Sequence, residues 1–303
     1  MADGATVKHL PRILRPGLAA CYRGAYRLHH RIFLRPGQPL CASSLFVIGS
    51  FRIGGAGKSP FTAWFIDFLR ERGEESIAVL CHEKAYDEAA MLQQRFSQNP
   101  KIQVFATGNR YRSARELDGK FGAIVCDDGF EDTRLTGATV IRLDWETPPT
   151  RTSDLVPAGM FRSLATDHAA PAIALRCASA HTGADADVTF GIAGIENAAG
   201  DSLSRDPVLL CGIAEPDRFF EDVAASGVRA TRTVALRDHD RRLRRTLEVL
   251  LRDGEQVVIT EKDFARLPPG LQKETSVFVA RQQVHVSDVA KKALIAACGI
   301  PRQ

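Results

Sequence analysis

Short, mainly apolar runs recur along the chain and alternate with segments in which apolar residues return every three or four positions. The runs cover residues 45–48, 76–81, 101–105, 123–126, 138–143, 172–175, 187–190, 229–236 and 277–280. Runs of this length bounded by turn residues are typical of strands, and helices between successive strands favour a parallel sheet. The pattern predicts an α/β protein with a doubly wound, mostly parallel sheet.

Residues 17–34 have the period of an amphipathic helix. One side of this helix carries Leu18, Tyr22, Ala25, Leu28 and Ile32. A different side of the helix carries Arg23, Arg27 and Arg31. A basic amphipathic helix of this kind either lies in the headgroup layer of an anionic membrane or packs its apolar side on the protein and leaves its arginines in solvent. The pattern by itself leaves both interpretations open.

The chain has 303 residues, of which 45% are hydrophobic and 25% charged, and this predicts a globular protein with two domains. No run approaches the roughly 20 apolar residues of a membrane span, and the N-terminus lacks the apolar core of a signal peptide, so we expect a cytoplasmic location. The basic excess is N-terminal, because residues 1–40 hold seven Lys or Arg and one acidic residue. We predict no nucleic-acid partner, and the oligomeric state stays open. Seven scattered cysteines without metal-ligand spacing are typical of reduced core residues.

A glycine-rich turn follows the first apolar run and leads into a helix that Pro60 is suited to begin. The residues expected to bind a nucleotide are Gly54, Gly55, Ala56, Gly57, Lys58 and Ser59. The backbone N–H groups of such a turn, a lysine ammonium and a Mg2+ ion held by a serine hydroxyl bind the β- and γ-phosphates in P-loop proteins. Because Arg52 stands where the strict P-loop pattern has glycine, a glycine-rich turn of another doubly wound domain is the alternative.

Acidic residues stand at two further places where chemistry is expected. Asp127 and Asp128 directly follow the apolar run 123–126, as in a Walker B strand, whose carboxylates hold Mg2+ or its waters. Carboxylates at strand ends also serve as helix caps or turn residues. Asp87 and Glu88 open a predicted helix, where acidic side chains commonly interact with the helix dipole.

The segment GSFRIGGAGKSP, residues 49–60, resembles the variant P-loop of the tetraacyldisaccharide 4'-kinase family of the lipid A pathway, which usually has Asn for Ser50 and Thr for Ser59. Further blocks resemble the family in the same order along the chain. Residues 127–130 match its Asp-Asp-Gly-Phe motif, and Glu131 and Asp132 replace the Gln and His that follow. Residues 155–163 resemble its Leu-Pro-Ala-Gly-Pro-Leu-Arg-Glu block, with Arg kept at 162 and Ser in place of Glu at 163. Residues 86–88 resemble the Gly-Asp-Glu that precedes a helix in the family, and the segment that comes before it in the family is missing here.

The resemblance implies an ATP-dependent kinase that phosphorylates the 4' hydroxyl of a tetraacyl disaccharide. The implied catalytic residues are Lys58 on the ATP phosphates, Arg162 facing the transferred phosphoryl group, Asp87 as the acceptor of the hydroxyl proton, and His239 as the support of Asp87. The implied Mg2+ ligands are Ser59, Glu88, Asp127 and Asp128. For Arg162 a surface ion pair with Asp167 is the alternative, and for His239 a place at a helix start with Asp238 as N-cap.

Three segments are predicted. Residues 1–40 form a membrane-associating helical segment, residues 41–200 a P-loop kinase domain, and residues 201–303 a smaller α/β domain, with the active site between the domains at the carboxyl ends of the strands. The resemblance implies an acylated disaccharide lipid and an anionic membrane surface as partners, on the cytoplasmic face of the inner membrane. A P-loop GTPase or metallochaperone, a kinase for another amphipathic sugar, and a non-catalytic nucleotide-binding protein are the alternatives.

Overall fold

The computed structural model describes residues 14–299. In chain order the helices are α1 (Arg15–Phe33), α2 (Lys58–Arg70), α3 (Tyr86–Phe96), α4 (Arg110–Leu117), α5 (Pro216–Ala225), α6 (Leu243–Arg252), α7 (Glu261–Ala265), α8 (Pro269–Gln272) and α9 (Asp288–Cys298). The strands are β1 (Ser44–Gly49), β2 (Ile77–His82), β3 (Ile102–Thr107), β4 (Ala123–Asp127), β5 (Thr139–Asp144), β6 (Ile173–Ser179), β7 (Val188–Asn197), β8 (Val208–Cys211), β9 (Arg232–Ala235), β10 (Val257–Thr260) and β11 (Val277–Val286).

The chain forms two compact units. The first contains the described residues up to Lys84, the segment Asn99–Arg176, and the C-terminal segment from Asp288. The second contains Ala85–Gln98 and Cys177–Ser287.

The sheet of the first unit is parallel, with the strand order β3-β2-β4-β1-β5-β6. Alternate side chains of β1 point to opposite faces, as the pleat of a strand requires. Leu45 and Val47 belong to a buried cluster that includes Ala114 of α4, whereas the ring of Phe46 lies 5.2 Å from the ring of Phe65 of α2. Helices therefore cover both faces, which confirms the predicted doubly wound, mostly parallel sheet.

The sheet of the second unit has the order β7-β11-β10-β8-β9 and is parallel except for the pair β7–β11. Its two faces are buried by different helices. On one face Leu210 of β8 packs in a cluster with Leu247 of α6, and on the other Leu209 packs in a cluster with Phe219 of α5. The second unit is thus an α/β layer structure as well.

The division between the units differs from the predicted one after residue 200. The residues just before the predicted boundary are not a linker, because β7 continues to Asn197 and pairs there with Phe278 of β11. The side-chain amide of Asn197 also donates to the carbonyl of Thr275 at 3.0 Å. The second unit therefore starts at Cys177, before β7, and takes in residues 85–98 of the predicted first domain. The C-terminal helix α9 belongs to the first unit rather than to the predicted C-terminal domain.

Helix α1 is part of the first unit, and its apolar side faces solvent. Leu18, Leu28 and Ile32 are 41%, 59% and 49% exposed. The side that packs carries Ala19, which is buried, and Tyr22, which packs in the same cluster. Arg23 and Arg27 both contact Asp167, but the side chain of Arg27 is 55% exposed. The interpretation in which the apolar side packs on the protein is therefore wrong for Leu18, Leu28 and Ile32 and holds for Tyr22.

Within residues 14–299 no helix combines the length and the apolar character that crossing a membrane requires. Four of the cysteines are buried as the sequence predicts, but Cys21 and Cys41 are exposed.

Candidate active site

The glycine-rich turn connects β1 to α2 in the first unit. Gly54, Gly55 and Gly57 have φ angles of 78°, 66° and 70°, a left-handed conformation that glycine adopts without steric cost. Gly57 is the N-cap residue of α2, so the turn ends where the free N–H groups of a helix begin. The carbonyl of Ala56 accepts a hydrogen bond from the indole of Trp145 at 3.0 Å, which holds the turn in place. Successive backbone conformations of this kind form an anion-binding concavity.

Lys58, the first residue of α2, is only 9% exposed, and its ammonium lies 3.2 Å from the carboxylate of Asp128. Arg162 contacts the same carboxylate at 3.1 and 3.3 Å. Burial raises the pKa of Asp128, but the two cations outweigh burial and hold that pKa well below its usual range. Asp128 also has a φ of 54°, rare for a residue with a side chain. The turn after β4 thus holds a carboxylate between two cations.

Arg162 reaches this position because its loop pairs with the turn after β1. The N–H of Arg162 donates to the carbonyl of Phe51 at 2.9 Å, and the N–H of Ile53 donates to the carbonyl of Met160 at 3.2 Å. Asp167, the alternative partner of Arg162, instead binds the arginines of α1. The surface ion pair is therefore not the role of Arg162 in this structure.

Asp127, the last residue of β4, binds the hydroxyl groups of α2. It accepts hydrogen bonds from Ser59 at 2.7 Å and from Thr62 at 2.9 Å, and its backbone carbonyl accepts one from Arg110 at 3.0 Å. Burial raises the pKa of Asp127, and Asp128 adds to this. A hydroxyl and a carboxylate at hydrogen-bonding distance are oxygen donors of the type that Mg2+ prefers, so Ser59 and Asp127 fit the predicted metal role.

A second cluster lies in the second unit, around Asp87 at the start of α3. This carboxylate is fully buried, and its Oδ2 lies 3.0 Å from Nδ1 of His239. Asp238 is not an N-cap, because α6 begins only at Leu243 and His239 lies in the preceding turn. His239 has a φ of 57°, so its backbone adopts an uncommon conformation.

The ammonium of Lys262 in α7 contacts three carboxylates around this pair. Its Nζ lies 2.9 Å from Glu88, and 3.5 Å from both Asp87 and Asp238. Burial raises the pKa of Asp87, but the contacts with His239, Glu88 and Lys262 outweigh it and hold the pKa low, so this carboxylate is ionised at neutral pH. Burial and the neighbouring Asp87 raise the pKa of Glu88 to about 7. The contact with Asp87 raises the pKa of His239.

The structure brings the predicted residues together in two groups. The first unit holds Gly54, Gly55, Ala56, Gly57, Lys58, Ser59, Asp127, Asp128 and Arg162, and the second holds Asp87, Glu88 and His239. Ligand atoms of the second group lie within 4.8 Å of one another, close enough to share a cation. Sequence reasoning missed Thr62, Arg110 and Lys262. The position of Thr62 one helical turn after the loop was a usable signal for it.

The sheet, the glycine turn with its buried lysine and the carboxylates after β4 define a P-loop protein. A family model described as LpxK, tetraacyldisaccharide-1-P 4'-kinase, matches residues 81–298. The tetraacyldisaccharide 4'-kinase of Anaeromyxobacter dehalogenans is 30% identical over 340 aligned residues, which cover 92% of this chain and 87% of the relative. That of Koribacter versatilis is 26% identical and covers 80% and 84%. LpxK from Aquifex aeolicus in complex with ATP has the same fold, with a TM-score of 0.63 over 93% of this chain and 97% of that one, at 16% identity. This chain belongs to the tetraacyldisaccharide-1-P 4'-kinase family.

The two carboxylates after β4 are expected to respond differently to the same substitution. Asp127→Asn should lower phosphate transfer by about 100-fold without lowering the melting temperature, because its raised pKa makes the ionised form unfavourable in the folded protein. Asp128→Asn should have the smaller effect on transfer but lower the melting temperature at neutral pH. Because the pKa of Asp128 is depressed in the folded protein, its ionised carboxylate stabilises the fold at pH values above the ordinary aspartate pKa of about 4. This stabilisation is lost as the pH falls below that value.

Steady-state kinetics at several Mg2+ concentrations and thermal melts of both variants measure this difference. If both variants transfer phosphate like the unchanged protein, the Walker B interpretation of these residues is wrong.

Proposed function

We propose that this protein transfers the γ-phosphate of ATP to the 4' hydroxyl of an acylated disaccharide phosphate. The observation that carries the proposal is the buried ammonium of Lys58 at the end of the glycine turn, with Asp128 and Arg162 beside it, in a chain of this kinase family. Phosphoryl transfer needs positioned positive charge more than covalent chemistry, and this cluster supplies two cations. ATP is the donor bound to the relative of known structure.

In this proposal the glycine turn and Lys58 bind the β- and γ-phosphates, and Arg162 faces the charge of the transferred group. Ser59 and Asp127 would hold Mg2+, which when bound neutralises phosphate charge. Asp87 accepts the proton of the sugar hydroxyl. His239, 3.0 Å away, carries a raised pKa and stabilises the carboxylate as an ion.

The direct test is transfer of labelled phosphate from γ-labelled ATP to a tetraacyl disaccharide phosphate in detergent micelles. Product formation that requires both ATP and the acceptor supports the proposal. Preference for GTP would favour an NTPase of another type. Transfer only to a different amphipathic sugar would mean that this sugar, and not the disaccharide, is the acceptor. Binding of ATP without turnover under any of these conditions would mean a non-catalytic nucleotide-binding protein.

We further propose that α1 lies in the headgroup layer on the cytoplasmic face of a membrane, where an acylated acceptor is found. The support is the exposed apolar side of α1, which continues at its ends with Leu14 at 54% and Phe33 at 65% exposure. Exposed apolar side chains along one side of a surface helix are typical of interfacial helices. Because Arg23 and Arg27 bind Asp167, apolar burial rather than their charge supplies most of the membrane affinity.

The triple variant Leu18→Ser/Leu28→Ser/Ile32→Ser is expected to bind anionic phospholipid vesicles at least about 100-fold more weakly. The reason is that it loses three aliphatic side chains that the membrane would partly bury. Sedimentation with the vesicles measures this. Val289→Ser is the matched control, because Val289 is 76% exposed and lies on α9. Equal binding by the triple variant and the unchanged protein would rule out this side of α1 as the membrane contact.

A further inference from the structure

Glu131, where the resembling family has Gln, is a largely buried carboxylate with three polar neighbours. The hydroxyl of Tyr26 donates a hydrogen bond to Oε2 of Glu131, and the hydroxyl of Ser163 donates to Oε1 at 2.9 Å. Nε2 of His168 lies 3.5 Å from Oε2 and 2.8 Å from the hydroxyl of Ser163. Buried polar groups joined in this way form one network whose members depend on one another.

The network ties three segments of the first unit together. Tyr26 is on α1, Glu131 follows the turn after β4, and Ser163 is adjacent to Arg162. Ser163 is fully buried, so its loop has no freedom to move away from the carboxylate without opening a cavity.

The charge of Glu131 acts on Arg162. Asp128 raises the pKa of the Arg162 guanidinium most, and Glu131 raises it as well. Burial lowers the pKa of His168 to about 4, so His168 is neutral near pH 7 and is not the countercharge of Glu131. Asp128 contacts the Arg162 guanidinium directly, and Glu131 contacts the loop of Arg162 through the adjacent Ser163.

Two of the positions at which the chain departs from the family's motifs are in contact. The motifs have Gln at position 131 and Glu at position 163, and this chain has Glu and Ser there. The 2.9 Å hydrogen bond between the side chains of Glu131 and Ser163 means that a carboxylate at either position is within reach of the same polar neighbours.

We propose that Glu131 is a positioning residue, which holds the loop of Arg162 and helix α1 together, and that residues 131 and 163 form an exchangeable pair that needs one carboxylate. The kinetic part of this proposal rests on the proposed kinase function. The stability part does not, because the network is a property of the folded chain.

The test moves the carboxylate from position 131 to position 163. Glu131→Gln should lower kcat about tenfold and leave the KM for ATP within about twofold, because the loop that carries Arg162 loses the charged acceptor to which Ser163 donates. Ser163→Glu should be worse, because it adds a second carboxylate beside a buried one. The double variant Glu131→Gln/Ser163→Glu should recover to within about threefold of the unchanged protein, since its single carboxylate again faces the network. Glu71→Gln, on a side chain that is 74% exposed, is the matched control.

Thermal melts of the same variants decide the proposal even if no transfer is detected. Each single variant should melt lower than the unchanged protein, and the double variant higher than Ser163→Glu alone. Tyr26→Phe covers the case in which Ser163→Glu does not fold, because it removes only the Tyr26 hydroxyl. Its effect should be smaller in Glu131→Gln than in the unchanged protein. A double variant no better than its worse single variant, or additive effects of Tyr26→Phe and Glu131→Gln, would overturn the proposal.

Discussion

Lys58→Ala is expected to lower phosphate transfer by about 100-fold to 1,000-fold, a loss typical of removing a charge that stabilises a transition state in a water-poor site. The ammonium of Lys58 is almost fully buried at the end of the glycine turn, so no solvent cation takes its place. The substitution also leaves Asp128 with Arg162 as its remaining cation among the contacts described. Both the KM for ATP and kcat should change, because the ammonium contacts the phosphates before and during transfer.

Lys84→Ala is the control for this variant, since Lys84 is an exposed lysine in the same unit. Lys58→Arg adds a second comparison, because it keeps the charge but replaces a compact ammonium group by a planar guanidinium group. Unchanged kinetics of Lys58→Ala in a folded protein would show that the glycine turn is not the phosphate site.

The pair Asp87 and His239 is expected to act as a single unit in catalysis. Asp87→Ala and His239→Ala should each lower kcat by about 100-fold or more with little change in the KM for ATP, and the double variant should be barely worse than either. The physical reason is that His239 works through the carboxylate 3.0 Å away, so the second deletion removes a group that has already lost its function.

The second compact unit of the chain contains another aspartate–histidine contact, which serves as a control. Nδ1 of His181 lies 2.9 Å from Asp222, at a place outside the predicted site. His181→Ala should therefore leave kcat nearly unchanged. If the losses of Asp87→Ala and His239→Ala multiply in the double variant, the two residues have independent roles and the dyad is discarded.

The strands and helices around the glycine turn were predictable because their signals are local. An apolar run of four to six residues followed by glycines, Lys and Ser is read from adjacent positions, and the observed β1 and α2 agree with it. Asp127 and Asp128 were found in the same way, directly after an apolar run. The end of β7 was not predictable, since residues 194–197 are not an apolar run and are held in a strand by pairing with β11.

Helix α1 shows most clearly what the periodic spacing of residue types cannot predict. The spacing of apolar and basic residues predicts a helix and its two sides, but it does not predict that Tyr22 packs while Leu18 is exposed, or that the partner of Arg23 and Arg27 is Asp167. That partner is about 140 residues away in sequence, and a local pattern carries no information about such a partner.

The sequence alone determined the α/β class, the glycine-rich turn between β1 and α2, the carboxylates at the end of β4 and the family to which the chain is similar. Only the tertiary structure decided that Lys262 contacts Asp87 and Glu88, and that Glu131 and Ser163 share one carboxylate. The reason is the range of the interactions. Backbone conformation and apolar spacing act over a few residues and are written in the local sequence. Buried charges and hydrogen bonds are instead stabilised by partners from distant segments, which meet only when the sheet and its loops have formed.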